Sequence, residues 1–95
     1  MMQVFSVQST SHFDRTFRKL VKKHRELVDA FATVLHILKS DPYNTTRSHP
    51  IKKLEGVKSG DAEYRIRVGR WRFRYDVIER TVYLKACSLR REDTY

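Results

Sequence analysis

The sequence predicts a single α+β domain, one helix layer packed on one sheet, and three observations predict it. A chain of 95 residues has room for one hydrophobic core and no second domain. Apolar residues recur at helical intervals from Phe13 to Leu38, then alternate with period two from Tyr64 to Ser88. Loop-forming residues separate the two patterns, so helices and strands occupy different stretches of chain.

Met2 to Gln8 alternates weakly and reads as a short first strand. Ser11 is the expected helix cap, with Asp14 three residues later completing a capping box. Phe13, Phe17, Leu20 and Val21, then Leu27, Phe31, Val34, Leu35 and Leu38, fall on one stripe. Arg15, Arg18, Lys19, Lys22, Lys23 and Arg25 fall on or near the opposite face. Phase alone leaves open one long helix or a hairpin of two. His24, polar where the stripe wants an apolar residue, marks the place for a break. Asp41-Pro42 ends the helical region, because proline cannot continue it and disfavours helix in the residue before. Tyr43 to Pro50 is loop, and Ile51 to Asp61 reads as a further connection anchored by Leu54, with Gly56 and Gly60 at turns.

Tyr64-Arg65-Ile66-Arg67-Val68 and Trp71-Arg72-Phe73-Arg74-Tyr75 alternate strictly around a two-residue Gly69-Arg70 turn. Thr81 to Ser88 is a third alternating run after a turn near Glu79-Arg80. Period two sends Tyr64, Ile66, Val68, Trp71, Phe73 and Tyr75 to the core. Arg65, Arg67, Arg72 and Arg74 then share the other face.

That face fits the composition. Twenty Lys+Arg against 11 Asp+Glu give a formal charge of +9 and a pI near 10.1, an excess that favours polyanionic partners. Arginine suits phosphate because its planar fork donates two parallel hydrogen bonds and stays charged. Like charges on neighbouring strands repel, so the face makes sense when a polyanion or an acidic partner supplies the missing charge. The bland alternative is a solubilising surface.

Other signals point to structure. The single cysteine, Cys87, excludes an intrachain disulfide and reads as a small buried hydrophobe. Spaced twelve residues apart, His12, His24 and His36 do not form a metal motif, and no metal or cofactor is expected. No signal peptide is visible and no apolar run approaches the length of a membrane span, so a cytoplasmic, membrane-free protein is expected.

The run Lys53-Leu54-Glu55-Gly56, then Tyr64 to Gly69, then Arg72-Phe73-Arg74-Tyr75-Asp76-Val77, resembles the RelE/ParE superfamily of toxin–antitoxin toxins. The closing Arg91-Glu92-Asp93-Thr94-Tyr95 looks like that family's arginine-to-tyrosine terminus. The resemblance is clearest over residues 49–95. It implies a RelE-like microbial ribonuclease fold, with an N-terminal strand and a helical hairpin packed on a twisted antiparallel sheet. It also implies an endoribonuclease that cuts mRNA on the ribosome. An acidic antitoxin would wrap the toxin and cover its basic face, and any oligomer would form through that antitoxin. ParE-like members instead inhibit a protein target such as DNA gyrase, and a non-catalytic RNA-binding module is a further alternative.

Carried over by position, the family's basic strand residues fall on Arg65 and Arg67, its next-strand arginine on Arg72, and its terminal arginine and tyrosine on Arg91 and Tyr95. The catalytic candidates are Arg72, Arg91, Tyr95 and His49, the last lying near where some relatives place an acidic base. Arg65, Arg67, Arg74, Arg90 and Lys53 would contact RNA. Arg72 and Arg91 would stabilise the phosphorane, Arg65 and Arg67 hold the backbone, and Tyr95 stack on or orient a nucleotide. Arginine cannot serve as the base, which leaves His49, Tyr95 or Glu92 as proton carriers. Leu89-Arg90 stands where family members often carry glycine followed by histidine or lysine, so the acid is unassigned.

Overall fold

The computed structural model describes residues 4–58 and 60–90. Strand β1 (Ser6–Ser9) leads into helix α1 (Ser11–Lys23) and helix α2 (Glu26–Ser40). Four strands follow: β2 (Ile51–Lys53), β3 (Tyr64–Val68), β4 (Trp71–Ile78) and β5 (Thr81–Leu89). Met2, Gln3, Arg91, Glu92 and Tyr95, named above for the first strand and the terminal motif, lie outside the described residues.

The cap of α1 is Thr10 rather than Ser11. Thr10 is extended (φ −83°, ψ 161°), and its hydroxyl accepts from the Phe13 amide at 3.1 Å. Asp14 turns back to accept from the Ser9 hydroxyl at 2.6 Å. Three hydroxyl residues stand in a row here, and the geometry chooses the one still outside the helix.

The helical region is a hairpin. It breaks at His24 (φ −135°, ψ 85°), whose amide still donates to the Leu20 carbonyl at 2.9 Å. At the break the His24 ring meets Trp71 edge-on at 5.2 Å. Nearby, Arg70 reaches Glu26 in the first turn of α2 at 3.1 Å. Asp41 closes α2 as expected, its amide donating to Ile37 at 2.8 Å.

The five strands form one sheet in the order β1-β5-β4-β3-β2. The sheet is mixed, not antiparallel throughout, because β1 runs parallel to β5 with Val7 opposite Val82. Alternation fixes which face a residue takes and leaves strand direction undetermined. The other three pairings are antiparallel. The stretch read as connection after Pro50 begins with a short edge strand, β2, whose three residues are too few to show a period. In β5 the register slips, with Arg74 opposite Ala86 and Tyr75 opposite Leu84, so Lys85 is bulged out.

The inner face of β3 and β4 is the expected one. Ile66, Trp71, Phe73 and Tyr75 are buried, and Tyr64 and Val68 are partly so. From the helix layer, Phe13 and Phe31 reach Phe73 at 6.3 and 6.2 Å between ring centres. Tyr75 donates its buried hydroxyl to the Pro42 carbonyl at 2.7 Å, tying the end of the helices to the middle of the sheet. Cys87 is buried in the same cluster, and burial pushes its thiol up to about 12. Among the described residues no helix is long and apolar enough to cross a membrane.

Candidate nucleic-acid interface

The outer face of the sheet is built by the residues between the core positions. The β3–β4 register sets Arg65 opposite Arg74 and Arg67 opposite Arg72. Gly69, at φ 59°, opens the turn that fixes this register, a conformation that residues with a Cβ resist. Directly opposed residues have Cβ atoms about 5 Å apart, so each pair brings two like charges together. Adding β2 and β5 gives two rows across the sheet: Lys52, Arg65, Arg74 and Ala86, then Arg67, Arg72 and Ser88.

Lys52, not Lys53, belongs to this face. Lys53 pairs with Tyr64, shares its side of the sheet and lies 3.7 Å from Glu63. Lys52 pairs with Arg65 and is exposed. Its membership rests on the register of β2, which a three-residue strand does not reveal in sequence. Ser88 was equally hidden by its neutral side chain.

Arg90 closes the cluster from the end of β5, its amide donating to the Arg70 carbonyl at 2.6 Å. The crowding shows on Arg65, whose guanidinium is held below its ordinary range by burial first, then by Arg67, Arg72 and Arg90. The Nε atoms of Arg65, Arg72 and Arg74 are sealed from solvent and find no hydrogen-bond acceptor among the described residues.

Arg74 is different. It donates to the carbonyls of Asp61 at 3.2 Å and Ala62 at 2.8 Å, holding the loop before β3 against the sheet. Asp76, on the same side of β4, completes this clamp. Its carboxylate accepts from the amides of Ala62 and Glu63, both at 2.9 Å, and pairs with Lys85 at 2.9 Å. Burial works against the charge on Asp76, but the Glu63 amide, Lys85 and the Ala62 amide outweigh it and lower its pKa. The clamp holds Ala62 at φ 62°, in the left-handed region where a side chain is strained. Arg74 and Asp76 thus build the rim of the face.

His49 takes its partner from the helix layer. Its Nε2 lies 3.8 Å from Asp41, and its backbone is held by Asn44 through the amide (3.1 Å) and the carbonyl (3.0 Å). Asp41 organises this loop. Burial opposes its ionisation, yet the Thr46 hydroxyl (2.7 Å) and the Thr45 and Thr46 amides (2.7 and 3.1 Å) prevail and lower its pKa to about 2. The structure therefore brings Arg65, Arg67, Arg72 and Arg90 together and adds Lys52. Lys53 sits on the other face, Arg74 is engaged in the rim, and His49 is paired with Asp41. Arg91 and Tyr95 lie outside the described residues.

No family model, curated protein or solved structure matches this chain.

The chemistry of the face stands on its own residues. Four guanidinium groups and an ammonium can bind a phosphate backbone and stabilise the extra negative charge of a pentavalent phosphorane. The one carboxylate of β4, Asp76, is already bound by two amides and Lys85.

Proposed function

We propose that the chain is a toxin of the RelE type, an endoribonuclease that cuts mRNA engaged on the ribosome. The observation that carries this reading is the convergence of Arg65, Arg67, Arg72 and Arg90 on one sheet face. Such a face is electrostatically unfavourable alone and favourable around a phosphodiester.

In this reading Arg65, Arg67 and Lys52 hold the strand on either side of the scissile phosphate. The substrate's 2′-hydroxyl oxygen attacks phosphorus and loses its proton to a base. The P–O5′ bond breaks, and the leaving 5′-oxygen takes up a proton. Arg72, with Arg91 from the terminal motif, carries the phosphorane charge, and Tyr95 orients a nucleotide. An acidic antitoxin would neutralise the same arginines.

A second reading is a ParE-like toxin that docks on a protein without cutting. One observation favours it: among the described residues, no histidine stands on the arginine strands β3 and β4, and His49 lies 3.8 Å from Asp41. Induced expression in a bacterial host, with mapping of mRNA 5′ ends, separates the two. Growth arrest with codon-phased cleavage that Arg72→Ala and Tyr95→Phe both lose is the result expected of a nuclease. Arrest with intact mRNA would transfer the proposal to a protein target, and no arrest would reject both.

A further inference from the structure

The helix layer carries a second basic surface, which the arginine face does not explain. Arg15, Arg18, Lys19, Lys22 and Lys23 are all exposed on α1. Their spacing of three and four residues puts them on one stripe, about 12 Å long at 1.5 Å rise per residue. None of the five forms an ion pair among the described residues. The one acid on α1, Asp14, is occupied by the Ser9 hydroxyl. The helix dipole accounts for Lys22 and Lys23 in the last turn, where cations are favoured. It does not account for Arg15, Arg18 and Lys19, three cations at helical spacing with a single carboxylate, Asp14, on the same helix.

The position of the stripe matters as much as its charge. The apolar side of α1 packs on the inner face of the sheet, with Phe13 against Phe73. The basic stripe therefore looks away from the sheet, opposite to Arg65, Arg67 and Arg72. One molecule presents two cationic faces, back to back.

We infer that the α1 stripe is a separate docking surface for the phosphate backbone of double-helical RNA, used while the sheet face holds a single strand. Three features select this occupant. The exposed side of α1 offers one imidazole, His12, and no Phe, Tyr or Trp, since Phe13 and Phe17 turn to the core, so it lacks the row of stacking rings that successive unpaired bases need. It offers no apolar residue to enter a membrane, because the apolar stripe of α1 packs against the core. It offers no aromatic anchor of the kind that dominates protein interfaces. What remains is a row of cations on a convex rod, suited to a duplex whose charge density is high and whose shape is regular. The choice of RNA over other polyanions rests on the function proposed above; the existence of the stripe does not.

The test is fluorescence anisotropy of the full chain on two probes, a 20-base-pair RNA hairpin and a 12-nucleotide unstructured RNA, over a range of salt concentrations. Arg15→Gln/Arg18→Gln/Lys19→Gln/Lys22→Gln should weaken hairpin binding at least tenfold and flatten its log–log salt slope by about 3, near one unit per lost phosphate contact. Binding of the single strand should stay within about twofold, as expected where the stripe makes no phosphate contact. Arg65→Gln/Arg67→Gln/Arg72→Gln should show the reverse. Circular dichroism checks the fold, and Arg18→Gln/Lys22→Gln, with about half the slope change, serves should the fourfold variant not fold. Retention of hairpin affinity and slope in the α1 variants overturns the inference, as does equal loss on both probes or binding to anionic vesicles in place of the hairpin. Loss of hairpin binding in the α1 variant while the sheet variant keeps the single strand would instead defeat the proposed sheet function and leave the stripe standing.

Discussion

Where β3 and β4 pair, Tyr64–Val68 with Trp71–Tyr75, alternate residues make two faces, and the faces obey opposite rules. On the inner face Ile66 lies opposite Phe73 and Tyr64 opposite Tyr75; Ile66, Phe73 and Tyr75 are buried in the core and Tyr64 is partly so. Every choice there lowers the energy of the fold. On the outer face Arg65 lies opposite Arg74 and Arg67 opposite Arg72, and the pairs repel. The inner face explains why the chain folds. Arg74 is accounted for within the chain by the Asp61 and Ala62 carbonyls, but Arg65, Arg67 and Arg72 are explained only by something outside it, and that difference locates function on this molecule.

The comparison can be broken or sharpened by substitution. Phe73→Ala removes the ring that both helices touch and should cost about 3–5 kcal/mol in chemical denaturation, from lost transfer energy and a cavity. A cost below about 1 kcal/mol would mean that the inner face is not the core. Asp76→Ala cuts the rim rather than the core. It should cost about 2–3 kcal/mol by the same measurement, because two amides and Lys85 lose their acceptor together. Proteolysis should then open the loop before β3 first.

Acid should act through the loop beside the face. The Asp41 carboxyl is held near 2 in the fold against an ordinary value of 3.8, so it binds its proton more readily when unfolded. Its contribution is complete above 3.8 and is lost as pH falls from there toward 2. The loss should be about 1–2 kcal/mol, allowing for screening at the loop surface. Asp41→Asn should remove that acid sensitivity, as followed by thermal melting from pH 6 to pH 2.

The sequence carried the inner and outer faces because strict alternation over five residues determines both. It also carried the turn at Gly69-Arg70 and the end of α2 at Asp41-Pro42, where backbone chemistry allows little else. It did not carry what depends on partners distant in the chain. The contact of His24 with Trp71 at the break is of this kind, the assignment of Lys52 is settled by its pairing with Arg65, and the engagement of Arg74 by the carbonyls of Asp61 and Ala62. The parallel placement of β1 beside β5 is similarly invisible, since side-chain period carries no direction. Within the candidate site, residue type and phase identified the arginines, while only tertiary contacts separate those free to bind from those already bound.

The most direct test is Arg67→Gln/Arg72→Gln, read twice on the same preparation: denaturant stability and affinity for a single-stranded RNA. Relief of cross-strand repulsion should leave stability equal to the wild type or higher by about 0.5 kcal/mol, while affinity falls at least tenfold. A variant that is clearly less stable and binds RNA as well as the wild type would show that these arginines serve the fold, and would contradict the account.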